Sequence, residues 1–537
     1  MSFKTNDNQQ ITLDDRFNRL TQREQKFVLN SWAKDFADIV FPAINEERFS
    51  VLYSDQEFSR PASPVNVKIG ALMLKEMLHL SDDELIASIC CDVRFQYALH
   101  TTSFKEQPVS DRTFSLFRRR LYEYELKTGI DLLKEEMLHL ADVYTKYLNL
   151  HSNIKRMDSL MIASNSKRMS RLEIIYTVNA NAVKLMHRLG ADDRIPKELE
   201  HYLNPDDLND VIYYCKGDDI TSRFEKAIQE AGQLQQLMSG EEWLEFQEHQ
   251  LLVRVLKEQT QTDTEGTLKA KPNSEITPDS LQNPSDPDAT YRKKAGKDHK
   301  GYVGNIIETI GEDGISLITG FGYENNTHSD SSFCKEYLET RSEDSPAETM
   351  LTDGAYSGTE NSALAEEKNV ELITTSLTGK LPDIIMGDFH LSEDGKEVIS
   401  CPAGNKPIKS SYYEATGMCR AVFRKDCCQH CPNRNKCKAK LQNKTAFVNV
   451  SSKMVERARY LRKISSKEYL QLTRIRNGIE GIPSVLRRKY QVDRIPVRGR
   501  LKSKTFFLCK IGAYNIRKLL KHLPKVREKS AQNVALA

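Results

Sequence analysis

The stretch "ETMLTDGAYSGTEN", residues 348–361, runs an apolar pair, Met350 and Leu351, almost directly into Asp353. Gly354, a small residue, an aromatic ring, Ser357 and Gly358 follow. A lone carboxylate at the mouth of a buried strand has two readings. Asp is a common turn former and helix cap. With a second carboxylate beside it, it is also a ligand for a hard divalent cation.

Upstream, "IKRMDSLMIAS" (154–164) reads as a strand carrying Asp158. From residue 299, "HKGYVGNIIETI" and "GISLITGFGYE" are two strand candidates separated by "GEDG", a hairpin signal. A helix near 331–341 leads to the strand "ETMLTD", a helix from about 359 to 368 and the strand "VELITTS". Three strands, a helix, a strand, a helix and a strand match an α/β fold with a ribonuclease-H-like mixed sheet. Asp158 then lies on the first strand and Asp353 at the end of the fourth. These strands are neighbours in such a sheet, so the two carboxylates converge. Mg²⁺ takes one or two carboxylates plus substrate phosphate oxygens, and two such ions promote an in-line phosphoryl displacement.

A third acid is expected on a later helix. Glu480 in "LTRIRNGIEGIPSVLRRKYQ" is the candidate: on one helix Arg476, Glu480 and Arg487 fall within about 40° of each other. Gly478, Gly481 and Pro483 weaken that helix, and a break at Pro483 would turn Arg487 to another face.

Before the first strand the chain reads as helix. "LSDDEL" supplies Ser81 as a cap with acids in the first turn. In "PVSDRTFSLFRRRLYEY", Ser110 or Asp111 caps a helix bearing Arg112, Arg118, Arg119 and Arg120. Short helices, tight turns and an Arg-rich last helix resemble a helix-turn-helix DNA-binding module. Residues 181–260 look helical and polar, and "QTDTEGTLKAKPNSEITPDSLQNPSDPD" is a linker without visible chemistry.

Eleven cysteines in 537 residues favour thiols or metal ligands in a reducing compartment. Cys428 and Cys431 have C-x-x-C spacing, and Cys401 and Cys437 complete a candidate structural Zn²⁺ site, with Cys419, Cys427 and His430 in reserve. The net charge of +3 hides a basic end: from Ser451 onward roughly 23 Lys and Arg face about five acids, an electrostatic footprint for a polyanion. No apolar run is long enough to span a membrane and the N-terminus has no leader pattern, so a cytosolic protein is expected.

These blocks resemble, over most of the chain, the DDE transposases of bacterial insertion sequences. "RPASPVNVKIGALMLKEMLHLSDDELIASICCDVRFQYALHTTSFKEQPVSDRTFSLFRRRL" is similar to their InsH-type N-terminal domain. "MDSLMIASNSK", "DPDATYRKKAGKDHKGYVGNI", "LTDGAYSGTEN" and "RNGIEGIPSVLRRKYQVDRIPVRGRLK" resemble the first-aspartate, second-strand, second-aspartate and glutamate blocks. The resemblance implies that Asp158, Asp353 and Glu480 bind two Mg²⁺, with Mn²⁺ as a substitute. A Tyr, Arg, Glu, Lys signature frequent around that glutamate keeps Arg476 and Glu480, but has Thr473 for the tyrosine and Arg487 for the lysine.

The expected organisation is a helical DNA-binding domain over 1–150, the first part of the core over 151–180, and a helical insertion and linker over 181–290. The second part of the core over 291–395, a Cys-rich segment over 396–445 and a basic C-terminal region with the glutamate helix over 446–537 complete it. The expected function is DNA cleavage at the element's inverted repeats and strand transfer into target DNA. The partner is double-stranded DNA, bound by a homodimer in the bacterial cytosol at the nucleoid, with no membrane. Arg112, Arg118, Arg119, Arg120, Arg476, Arg487, Arg488 and Lys489 are the expected DNA contacts. The alternatives are a catalytically inactive DNA-binding relic or repressor, and a ribonuclease-H-like nuclease.

Overall fold

Met157, Leu160, Met161 and Ile162 are all buried on the strand β1 (Ile154–Ala163). Consecutive buried residues mark a strand covered on both faces, as in helix-flanked sheets. The computed structural model describes residues 1–6, 15–54, 61–101, 109–110, 112–214, 219–264, 266–294, 296–311, 314–377 and 379–536. Five more strands join β1 in a mixed sheet: β2 (Thr290–Lys294), β3 (Lys297–Ile310), β4 (Ser316–Asn325), β5 (Glu348–Thr352) and β6 (Val370–Thr374).

Pairing follows the sequence pattern. β3 lies antiparallel to β4 across the expected hairpin, where Gly311 donates to the Ile315 carbonyl at 2.8 Å. β3 also pairs antiparallel with β2. β1 has β3 on one side and β5 on the other, and both β1–β5 and β5–β6 are parallel. The α/β arrangement is compatible with a ribonuclease-H-like core.

By its internal packing the chain divides into two units: residues 1–152, 159–329 and 481–537 form the first, and 153–158 with 330–480 the second. β1 passes from one to the other after Asp158.

In the first unit, Ser81 caps the helix Asp82–Cys91 in a capping box with Glu84, as expected. The Arg-rich helix departs from expectation. It spans Thr113–Thr128 and its cap position is Arg112, with no side-chain cap, because Ser110 instead donates its backbone N–H to Thr113 Oγ1 at 2.7 Å. Asp111 lies outside the described residues. Helices Arg171–Arg188, Asp219–Leu237 and Gln247–Gln259 bury a core of their own, including Val183, Ile228, Leu234 and Leu252.

The expected linker is more than a spacer. Asp286 is fully buried and accepts from Tyr302 Oη at 2.6 Å, the Gly499 N–H at 2.8 Å and Ser164 Oγ. Nothing in the Pro- and Asp-rich stretch signals such a hub, because its donors come from three remote segments. Gly301 shows a similar remote constraint. Its φ is +144° and a Cβ there would lie 2.3 Å from the Ile162 carbonyl, so only glycine lets β3 approach β1.

In the long helix Arg500–Leu536 part of the basic end is paired within the unit. Lys510 pairs with Glu76, Lys504 with Glu125 and with Asp131 at 2.6 Å, and Arg500 with Glu324 at 2.7 Å. These cations neutralise acids inside the unit, which the count of charges along the sequence could not reveal.

In the second unit, β5 and β6 pack Leu351 and Ile373 against Tyr469 of the helix Lys467–Asn477, with Ile154, Leu472 and Ile475 alongside. An antiparallel sheet of Lys409–Tyr413, Met418–Arg424, Thr445–Val450 and Lys440–Leu441 forms a Cys-rich module around Phe389, Phe423 and Val450. No helix among the described residues is long and apolar enough to cross a membrane.

Candidate active site

Asp353 follows the last residue of β5, and its two carboxylate oxygens do different things. Oδ1 accepts the Ala355 N–H at 2.9 Å, closing a local turn that Tyr356 continues by donating its N–H to the Asp353 carbonyl at 3.3 Å. Oδ2 points to Arg476 Nη2 at 3.5 Å. The turn-former and ligand readings of Asp353 are therefore compatible, since each uses a different oxygen.

Asp158 reaches the same place through strand register. The parallel β1–β5 pairs are Ile154 with Thr349, Lys155 with Met350 and Arg156 with Leu351. Two residues further along the two strands stand Asp158 and Asp353, on the face that carries Arg156 and Leu351. Arg156 Nη1 donates to the Ile475 carbonyl, tying β1 to the helix Lys467–Asn477. That helix is capped by Ser466, which accepts from the Tyr469 N–H. Its residues Tyr469, Leu472 and Ile475 face the strands at helical spacing, which brings the next residue, Arg476, over the strand ends.

Arg476 is 8% exposed and touches all three acids. Its Nη2 lies 3.7 Å from Asp158 Oδ1 and 3.5 Å from Asp353 Oδ2, and its Nη1 lies 3.3 Å from Glu480 Oε1. These separations exceed ordinary charge-assisted hydrogen bonds, so the guanidinium is a loose counter-ion at the centre of the cluster. One positive charge among three carboxylates leaves the cluster anionic. Arg476 Nε has no hydrogen-bond partner among the described residues. The Glu480 side chain is 65% exposed, against 13% for Asp158 and 30% for Asp353.

The single helix expected to carry Arg476, Glu480 and Arg487 is not formed. Lys467–Asn477 ends in a 3-10 turn, Gly478–Glu480, and a new helix spans Gly481–Arg488. Pro483 has no N–H to offer the Ile479 carbonyl, and Gly478 lies where a Cβ would press on Arg156 at 2.3 Å. Arg487 belongs to the first unit, where it pairs with Asp493 at 3.2 Å and donates to the Met161 carbonyl at 2.9 Å.

The other expected DNA contacts divide by environment. Arg118 is largely buried, pairs with Asp82 and stacks over Phe506 inside its unit. Arg120 lies over the Tyr53 ring and Arg119 pairs with Glu123 at 2.6 Å on the exposed face. Arg112, Arg488 and Lys489 are exposed.

In the Cys-rich module, Cys401, Cys427, Cys428, Cys431 and Cys437 line one small cavity of about 20 Å³, while Cys419 donates its thiol to the Gly395 carbonyl and His430 is exposed. Cys215 lies outside the described residues. Burial first, then the neighbouring thiols, pushes Cys428 up to about 11. As the chain stands, no group of three His, Cys, Asp or Glu side chains among the described residues is disposed to hold one ion. The donor chemistry nevertheless fits: soft thiols ring a space of single-ion size, and hard carboxylates form an anionic cluster.

Two family models match the chain. The model described as "Transposase DDE domain" covers residues 400–520, which include Arg476, Glu480 and the clustered cysteines. The model described as "Transposase domain (DUF772)" covers residues 26–120, which include Ser81 and the Arg-rich helix start. Asp158 and Asp353 lie outside both. No curated protein and no solved structure matches. The two matches, to two different transposase models, support a DDE transposase of an insertion element.

Proposed function

We propose that the chain cleaves DNA at the ends of its own element and joins the freed 3′-hydroxyl to target DNA. The observation that supports this most is the gathering of Asp158, Asp353 and Glu480 around Arg476. Asp158 and Asp353, on adjacent strand ends, and Glu480, on the turn, are the residues that would hold two Mg²⁺ or Mn²⁺. Bound there, such ions supply a nucleophile and stabilise the leaving oxygen of an in-line displacement.

Arg476 has two roles in this account. Without ions it neutralises the carboxylates and keeps them together. With ions held by the carboxylates, its planar guanidinium would be available to pair with a DNA phosphate as a fork. Arg112, Arg119, Arg488 and Lys489 contribute exposed charge toward the DNA backbone, and synapsis of two ends calls for a dimer. A structural Zn²⁺ on the Cys401, Cys428, Cys431 and Cys437 thiols would lock the Cys-rich module.

The test is joining of a labelled element end to a target plasmid in Mg²⁺. A transposase yields joined product, a simple nuclease yields cut ends only, and an inactive DNA-binding repressor yields neither while still shifting the labelled end.

A further inference from the structure

The second unit holds a cavity of about 510 Å³ in the Cys-rich module, within the range of small-ligand sites. Its floor is apolar, built from Met386, Met418, Phe447, Val448 and Met454. Its rim is cationic, with Lys380, Lys436, Lys438, Lys440, Lys453 and Arg457. The lining includes one acid, Asp383, and its Oδ1 is engaged in capping, accepting the Ile385 N–H at 3.1 Å. Among the described residues the five lysines form no ion pair, in contrast with the paired cations of the helix Arg500–Leu536.

Each half of this surface excludes a class of occupant. Five uncompensated lysines around an apolar ligand would gain nothing from it. A duplex backbone would meet the lysines but leave the methionines and Phe447 bare. A ligand with a flat apolar part and anionic groups on its edge satisfies both, and an unstacked nucleotide has that form: its base has a π face and its phosphates flank it. The Phe447 ring is held from one side by the Arg420 guanidinium, 3.8 Å from its centroid. Lys438, on the turn after Cys437, has a φ of +58°, a left-handed conformation that is uncommon for a residue with a side chain.

We propose that this pocket takes one unstacked nucleotide of a DNA strand, with its base on the Met418, Phe447 and Met454 floor and its phosphates among the lysines. The proposal rests on the reading that DNA is the substrate, and it adds a site for unpaired DNA apart from the carboxylate cluster.

The experiment compares binding of the full chain to a fully paired DNA duplex and to the same duplex carrying one unpaired 2-aminopurine. The unpaired probe is expected to bind about tenfold more tightly, with a change in 2-aminopurine emission. Met454→Trp, which fills the cavity, should abolish that preference without lowering the melting temperature. Lys436→Ala with Lys438→Gly, the glycine suiting the left-handed turn, should weaken binding of both probes and reduce the salt slope by about two. Equal binding of the two probes overturns the pocket assignment alone. So does a preference that survives Met454→Trp, or displacement from the pocket by an acidic aromatic peptide in a chain that ignores the unpaired base. Failure to bind either probe overturns the DNA reading itself.

Discussion

Arg476 Nη2 lies 3.5 Å from Asp353 Oδ2, and the same guanidinium reaches Asp158 and Glu480. The cation occupies the place where the carboxylates would share metal ions. Arg476→Met therefore leaves three carboxylates facing one another. Without divalent ions this variant should lose about 1–3 kcal/mol of stability, and Mg²⁺ or Mn²⁺ should stabilise it more than the parent. Thermal melting with and without the ions checks this, and equal stabilisation of the two proteins would count against the counter-ion role.

Gly301→Ala should destabilise the first unit by about 3 kcal/mol, because the added carbon meets the Ile162 carbonyl and the +144° φ strains any side chain. Denaturant midpoints measure it. A change under about 0.5 kcal/mol would mean that β3 and β1 are not in this close approach.

Much of the core was legible and some of the site was not. The apolar runs and the hairpin signal located β1, β3, β4, β5 and β6, since buried strands advertise themselves by composition. Asp158 and Asp353 followed from strand order. The break beside Glu480 was signalled by Gly478, Gly481 and Pro483, but the packing of the Arg156 side chain against Gly478, far away in sequence, was not. The partners of Arg118, Lys504 and Lys510 and the hub role of Asp286 were hidden for the same reason: long-range pairs leave no local pattern.

The thiol cluster should carry about one Zn²⁺ per chain, measured by elemental analysis, and Cys428→Ser should lose it. Cys428 is held as a neutral thiol near neutral pH, so binding must release protons and the zinc affinity should rise with pH. Metal content unchanged in Cys428→Ser and Cys431→Ser would exclude this site.

Lys68 supplies a pH dependence in the first unit. It is 3% exposed, donates to Tyr53 Oη at 2.6 Å, and burial, followed by the Arg120 charge, lowers it to about 7. Unfolded, it titrates near 10.4, so between about 7 and 10 the unfolded chain binds more protons. Stability contributed by neutral Lys68 thus rises with pH across that window, by at most about 1.4 kcal/mol per pH unit. Lys68→Met should remove that rise when denaturant unfolding at pH 7 and pH 9 is compared with the parent. An identical pH response in both proteins would contradict it.

Asp158, Asp353 and Glu480 are proposed to hold the catalytic ions. Iron-directed cleavage tests this most directly: Fe²⁺ with ascorbate and peroxide cuts a polypeptide only beside the bound ion. Cuts are expected near residues 158, 353 and 480, suppressed together by Mg²⁺ and lost in Asp353→Asn. Cuts confined to other segments, or unaffected by Mg²⁺, would contradict it.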